Sequence, residues 1–276
     1  MKKRLLSLTL AGILAIGAFT GCGSSGSDTK DTKEAKSTQE DSKEEDTKAG
    51  DKGTITVAAS ATPHAEILEQ AKKILADEGW DLEIKVFSDY VQPNLVVESG
   101  EFDANYFQHI PYLESFNKEQ GTHLVNAGGI HYEPFGIYPG TKNDLSKVEK
   151  GDVIAVPNDT TNEARALLLL QKQGLITLKD STNILSTVQD ITANPNEYQF
   201  VELEAAQVPR SLDDVALAAI NTNFALNAGL NPGKDALAIE NNDSPYVNIV
   251  TVLKGNENDP RIKKLMGALH SPEIIK

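Results

Sequence analysis

The side chain best placed for ligand chemistry is an arginine near the start of a predicted helix. Only four of the 26 basic residues are arginines, and Arg165 lies in the first turn of an apolar helix predicted over 161–173. A cation there opposes the helix dipole, but it is favourable if an anion such as a carboxylate binds at the helix N-terminus beside the guanidinium. The alternative is a structural ion pair with Glu163 or with an acid from the other half of the fold. Position alone supports both interpretations equally.

Aromatic side chains are concentrated in one stretch of a chain that is only 6% aromatic. The stretch contains Tyr90, Tyr106, Phe107, His109, Tyr112 and Tyr132. Most such clusters belong to a hydrophobic core. Lining a cleft, the same rings would instead grip an apolar or thioether side chain through face and edge contacts.

Asparagines stand at the ends of two predicted strands, at Asn221, Asn223 and Asn248. Each amide offers donors and an acceptor, which suits a ligand carrying both an ammonium and a carboxylate. Asparagines that simply form turns are the alternative. The guanidinium, the amides and the aromatic wall together indicate an amino-acid site.

Catalytic signatures are missing from the sequence. It contains no nucleophile elbow, no phosphate-binding glycine loop, no dinucleotide fingerprint and no HExxH, so we predict no enzyme activity and no cofactor. The five histidines fit no standard zinc spacing, and we predict no metal site. A metal-binding lipoprotein would need His64, His109 or His131 to converge with a carboxylate. A hydrolase would need an activated nucleophile, and an adhesin would use an exposed patch and no small ligand.

Composition narrows the class of protein further. The 276 residues carry a net charge of −14, which repels phosphate backbones and argues against nucleic-acid binding. The single cysteine excludes an internal disulfide and a Cys-based zinc cluster. The chain is long enough for one or two domains with real cores.

The N-terminus is typical of a secreted lipoprotein. Three basic residues precede an apolar run over 5–20, which predicts a signal peptide over 1–21. The run ends in Phe19-Thr20-Gly21-Cys22, which resembles a bacterial lipobox, so we expect Cys22 to be lipidated and to anchor the chain on the extracytoplasmic face of a membrane. Ordinary secretion with an incidental thiol is the alternative. Residues 22–53 then form a polar tether without core-forming side chains, a length that favours a Gram-positive surface.

The remainder alternates strands and helices, which predicts two α/β lobes with a ligand cleft between them. Strands are expected near 54–60, 81–87, 102–107, 123–127, 152–156, 198–203, 217–220 and 246–253. Helices are expected near 63–78, 91–99, 111–119, 161–173, 211–216 and 259–269. The first lobe is predicted to comprise 54–139 plus 246–276, because the last strand crosses back to complete its sheet, and the second lobe 140–245.

Specific strings carry a resemblance to a known family. In the first lobe they are Asp89-Tyr90, Pro93-Asn94, Phe102-Asp103-Ala104-Asn105, Phe107-Gln108-His109 and Pro111-Tyr112-Leu113. In the second they are Pro157-Asn158-Asp159, Thr161-Asn162, Arg165, Gly174-Leu175-Ile176, Val201-Glu202-Leu203-Glu204, Pro209-Arg210-Ser211-Leu212-Asp213-Asp214, Ile220-Asn221-Thr222 and Ser244-Pro245-Tyr246-Val247-Asn248. Over nearly everything after Gly53, the chain resembles the methionine-binding NlpA/MetQ lipoproteins, the substrate-binding components of ABC importers.

This resemblance implies a two-lobed fold like that of periplasmic binding proteins, and a role for each matching residue. Arg165 would pair with the substrate carboxylate, helped by Asn162 and Asn221, while Asn248 would hold the backbone group of the amino acid. The thioether side chain would be enclosed by Tyr90, Phe107, His109 and Tyr132. The implied partners are L-methionine, or another amino acid or short peptide, and an importer permease with its ATPase.

Overall fold

The computed structural model describes residues 52–241 and 245–275, which all fall in one compact unit. The predicted signal peptide, Cys22 and the tether lie outside the described residues, apart from the last two positions of the tether.

Twelve strands and eight helices follow one another along the described chain. The strands are Thr54–Ala59 (β1), Asp81–Val86 (β2), Ala104–His109 (β3), Leu124–Tyr132 (β4), Gly136–Pro139 (β5), Val153–Pro157 (β6), Thr177–Leu178 (β7), Ile191–Ala193 (β8), Gln199–Leu203 (β9), Leu217–Ile220 (β10), Ala238–Ile239 (β11) and Val247–Leu253 (β12). The helices are Glu66–Asp77 (α1), Gln92–Glu98 (α2), Ile110–Gln120 (α3), Thr160–Lys172 (α4), Thr222–Asn227 (α5), Pro232–Asp235 (α6), Pro260–Leu269 (α7) and Pro272–Ile275 (α8).

The strands form two five-stranded sheets, and each sheet with its helices makes one lobe. The first sheet has the order β2-β1-β3-β12-β4, with β1 parallel to β2 and β3 and with β12 antiparallel to both of its neighbours. The second has the order β11-β5-β10-β6-β9, in which β10, β6 and β9 are parallel and β5 is antiparallel to its neighbours. The α/β, two-lobed fold class expected from the sequence is confirmed.

Helical periodicity explains how each lobe closes its core. In α1 the apolar positions Leu68, Ala71 and Leu75 recur at helical spacing and are buried in one cluster with β1 and α7. Helix α4 contributes Leu167 and Leu170, which are fully buried among the strands of the second sheet. These packed helices fix the ends of β3, β10 and α4, where the predicted site residues stand.

Two details differ from the sequence prediction. Strand β5 pairs with β10 and β11, so the second sheet already includes 136–139, which the sequence pattern assigned to the first lobe. Only a short 3-10 turn over Val208–Ser211 precedes β10, where a helix over 211–216 was predicted. Pro209 is the second residue of that turn, which ends at Ser211 although apolar residues continue beyond it. In the described part of the chain, none of the helices has the length and apolar character needed to cross a bilayer.

The chain passes between the lobes twice. Residues 133–135 connect β4 of the first sheet to β5 of the second, and the chain after β11 leads back to β12 of the first sheet. We call these two stretches, 133–135 and 240–246, the connecting segments; residues 242–244 of the second are outside the described chain.

Candidate functional site

A cavity lies between the lobes and is lined from both of them. Seven of the eight residues predicted from the sequence to bind a ligand line it: Tyr90, Phe107, His109, Asn162, Arg165, Asn221 and Asn248. Tyr132 does not line it, and its hydroxyl instead lies 3.0 Å from a carboxylate oxygen of Glu240.

Aromatic rings form one wall of the cavity. The Tyr90 ring packs against Phe107, at 5.6 Å between centroids, and against Tyr112 at 5.7 Å. On the second-lobe side the same ring lies 4.8 Å from Phe224, and its hydroxyl donates to Oδ1 of Asn223 at 2.6 Å. Tyr90 therefore serves as wall and as a contact between the lobes.

His109 is held neutral at the end of β3. Its Nδ1 accepts from the backbone N–H of Tyr112 at 3.2 Å, so its hydrogen is on Nε2, which points to Oδ1 of Asn162 at 3.4 Å. Burial, and then the nearby charge of Arg165, lower the pKa of His109 to about 3. The ring thus behaves as an uncharged part of the wall.

The start of α4 is stabilised by hydrogen bonds among Asp159, Asn162 and Asn221. The two asparagines were predicted site residues, whereas Asp159 was not. Asp159 caps the helix by accepting from the backbone N–H of Asn162 at 3.0 Å, and it also accepts from that residue's Nδ2 at 2.8 Å. Oδ1 of Asn162 accepts from Nδ2 of Asn221 at 2.8 Å. The Asn162 amide is therefore used within the protein, and it positions Asn221.

Two polar atoms in the cavity have no partner among the described residues. They are Oδ1 of Asn221, an acceptor, and Nδ2 of Asn223, a donor, and both residues are buried. Leaving such atoms unpaired costs about 1–3 kcal/mol each. A ligand with at least one donor and one acceptor would satisfy both atoms.

Arg165 is buried and joins the two connecting segments. Its Nε and Nη2 donate to the Glu240 carboxylate at 2.6–2.9 Å, and Nη2 also donates to the backbone oxygen of Glu133 at 2.7 Å. Its guanidinium lies 4.3 Å from the Tyr246 ring centroid and 5.1 Å from that of Phe135. Within the described residues Nη1 forms no hydrogen bond, so this end of the guanidinium stays available to a ligand.

The position of Arg165 in the sequence left two interpretations open, a structural ion pair and an anion-binding site, and the structure shows the ion pair. A structural partner exists, but it is Glu240 rather than Glu163, whose Oε1 accepts from the backbone N–H of Val188 at 2.7 Å. The pair uses only one edge of the guanidinium. A structural ion pair and an anion site are therefore compatible in the same side chain.

Asn248, at the start of β12, closes the cavity from the first lobe. Its Oδ1 lies 3.0 Å from Nε2 of the buried His64, which fixes the amide and leaves its Nδ2 as the group open to the cavity. Sequence reasoning missed Glu133, Glu240 and Asn223. Glu133 directly follows a predicted site residue, Tyr132, and Asn223 was singled out as a strand-end asparagine but not selected. Glu240 lies in a stretch with no periodic signal.

Most of this chain is similar in sequence to proteins of one known family. The profile of the NlpA lipoprotein family matches residues 55–276. The D-methionine-binding lipoprotein MetQ of Escherichia coli (strain K12) is 43% identical over 229 residues, which are 82% of this chain and 84% of the relative.

Solved structures are similar over the same region. An ABC transporter periplasmic substrate-binding protein from Coxiella burnetii has 47% identity and a TM-score of 0.76, covering 80% of this chain and 94% of its own. A nutrient-binding protein from Burkholderia cenocepacia, bound to methionine, has 45% identity and a TM-score of 0.77, covering 80% and 93%.

Proposed function

This chain belongs to the NlpA lipoprotein family, and on that premise we propose that it is an extracytoplasmic lipoprotein that binds L-methionine between its lobes and delivers it to an ABC importer. The observation that carries the proposal is the interlobe cavity itself. It is lined by Arg165, by the two amides with unpartnered atoms and by aromatic rings.

Each group of an amino acid has a matching group in the cavity. The carboxylate is bound by Nη1 of Arg165 and by the donor of Asn223, because a charge-assisted bond to a guanidinium is the strongest one available there. The ammonium donates to Oδ1 of Asn221, whose free atom is an acceptor and therefore fits the amine rather than the carboxylate. Asn248 completes the backbone contacts from the first lobe.

The thioether side chain lies against the Tyr90 and Phe107 rings. Sulfur contacts with aromatic rings contribute about 0.3–1.5 kcal/mol, and the wall is neutral because His109 carries no charge near pH 7. A charged side chain would find no counter-ion on this wall and would be disfavoured by its desolvation.

The mechanism is binding without chemistry. A ligand that contacts residues of both lobes stabilises the closed state by the difference between its contacts in the closed and open states. The closed lobes are then presented to the permease, and its partner ATPase supplies the energy for transport. The chain stays close to that permease through the lipid on Cys22 and the tether over 22–53; a Gram-positive surface remains a prediction.

The test is calorimetric titration of the full chain, in mild detergent, with a panel of ligands. The panel contains L- and D-methionine, other amino acids, methionine dipeptides and divalent cations. We expect L-methionine to bind best and to raise the melting temperature, with about 2.7 kcal/mol of added stability at 100 times its dissociation constant. Preference for D-methionine, a dipeptide or another amino acid would keep the fold and overturn the ligand assignment.

A matched pair of variants tests the site within the same assay. Arg165→Ala is expected to weaken methionine binding by about two to four decades, the scale of about 3–5 kcal/mol for orphaning a buried charge. Arg210→Ala removes a second-lobe arginine whose side chain bonds only Gln207 among the described residues, and it should bind as the wild type does. A loss below about tenfold in folded Arg165→Ala would remove Arg165 from the site.

A further inference from the structure

Three side chains with metal-ligating atoms meet beside the methionine cavity, which one of them, Glu133, also lines. His64, His131 and Glu133 each offer one such atom, and these atoms lie within 4.8 Å of one another. Nε2 of His131 is 2.7 Å from Oε1 of Glu133, and Nε2 of His64 is 3.4 Å from the same oxygen. A metal-binding protein with this sequence would need His64, His109 or His131 to converge with a carboxylate. His64 and His131 do so, and His109 takes no part.

From this geometry we propose that His64, His131 and Glu133 form a zinc-type transition-metal site, with Oδ1 of Asn248 as a fourth protein ligand. Two imidazole nitrogens and one carboxylate oxygen are a ligand set that Zn²⁺ favours. Asn248 Oδ1 lies 3.0 Å from Nε2 of His64, which places a fourth candidate ligand atom beside one of the three. Hard cations such as Mg²⁺ prefer all-oxygen ligands and fit the set poorly.

Neighbouring residues hold the side chains of the cluster in place. Tyr106 is fully buried, and its hydroxyl lies 2.5 Å from Nδ1 of His131. A bond to the second ring nitrogen orients a ligating histidine and leaves Nε2 for the metal. The side chains of His64 and Glu133 are 1% and 9% exposed, whereas that of His131 is 21% exposed and gives an entry path from solvent.

The competing explanation is a hydrogen-bonded network in which a proton occupies the place of the metal. The two explanations require different separations between ligand atoms. Metal bonds of about 2.0–2.1 Å in a tetrahedron place ligand atoms roughly 3.3–3.4 Å apart. The 3.4 Å between His64 and Glu133 already has this value, and the 2.7 Å between His131 and Glu133 must lengthen. His131 is the most exposed of the three and can move with the least repacking.

The experiment titrates the full chain with Co²⁺ and Zn²⁺ after chelator treatment and buffer exchange. We expect one equivalent of Co²⁺ to produce the intense visible bands of a four-coordinate site, and one equivalent of Zn²⁺ to abolish them. His131→Ala and Glu133→Gln should each weaken binding at least about tenfold, the scale on which a lost ligand is felt. Melting temperature without metal shows that each variant is folded.

His123→Ala is the matched control. His123 lies in the same lobe, is paired with Glu98 at 2.9 Å, and has a side chain that is 70% exposed; its removal should leave the bands unchanged. No binding at one equivalent, or binding that disappears in His123→Ala and persists in His131→Ala, would overturn the proposal. Methionine titration of the same samples keeps the two proposals separate, because intact methionine binding without any metal signal refutes only the metal site.

Discussion

Glu163 provides a test of the electrostatics around α4. Its side chain is buried, and its Oε1 accepts from the backbone N–H of Val188. Burial, together with the nearby carboxylates of Glu202, Asp159 and Asp190, raises the pKa of Glu163 from 4.5 to about 7. The folded protein therefore binds a proton here more tightly than the unfolded chain does.

The sign and size of the effect follow from this difference. A carboxyl with a raised pKa contributes stability that is fully present below its unfolded pKa and is lost as pH rises through its folded pKa. A difference of about 2.5 in pKa, at about 1.4 kcal/mol for each unit, sets an upper bound of about 3.5 kcal/mol, and solvent screening of this carboxylate reduces the expected effect to about 1–2 kcal/mol. Glu163→Gln keeps the acceptor for Val188 and removes the titration. We therefore expect the variant to match the wild type near pH 4.5 and to be about 1–2 kcal/mol more stable near pH 8.

The assay is chemical denaturation of both proteins at several pH values over this range. Subtracting one curve from the other removes the pH dependence that all other groups share. Glu114→Gln makes the same change of charge at an exposed position of α3 and should show no rise of stability with pH relative to the wild type. A difference between Glu163→Gln and the wild type that stays constant with pH, or that favours the wild type near pH 8, would refute the reasoning.

Three further predictions concern the cavity, and each is measured by methionine titration with a melting curve as the check on folding. Asn223→Asp keeps the acceptor for the Tyr90 hydroxyl but loses the free donor, and should weaken methionine binding about tenfold or more; unchanged affinity would show that this amide does not meet the ligand. Tyr90→Phe removes the interlobe hydrogen bond and keeps the ring, so a loss of about threefold to tenfold is expected, and a loss as large as that of Arg165→Ala would show that the hydroxyl does more than join the lobes. Tyr132→Phe removes one hydrogen bond to Glu240, which keeps its ion pair with Arg165, so it should lower the melting temperature yet change affinity less than about threefold, because Tyr132 does not line the cavity; a large loss of affinity would place it in the site after all.

Much of the fold follows from local sequence signals. The periodicity of 63–78 and 161–173 locates α1 and α4, and the return of 246–253 to the first sheet follows from alternation along the chain. Strand β5 was missed because its four residues, between a proline and a turn, are too few to show a period. The predicted 211–216 helix was wrong because a short apolar pattern cannot by itself distinguish a helix from a turn leading into a strand.

The clearest sequence signal for a residue of the cavity was a residue type that conflicts with its local position. Arg165 was found because a cation is unfavourable in the first turn of a helix, and it lines the cavity. Glu240 was not found, because its pairing with Arg165 joins residues 75 positions apart in sequence. Tyr132 was assigned to the wall from the aromatic cluster and the family resemblance, neither of which fixes the direction of a side chain; its hydroxyl lies 3.0 Å from Glu240, and the residue does not line the cavity.

Arg165 also has a mechanical consequence, because it ties both connecting segments together. Its guanidinium bonds Glu133 and Glu240 and packs on Phe135 and Tyr246, two residues on each segment. Any relative rotation of the lobes must change the backbone dihedral angles of both connecting segments while Arg165 holds the two segments together. Resistance to opening is therefore concentrated where the carboxylate of the ligand would bind, so a change at Arg165 alters how long a ligand stays as well as how tightly it is held.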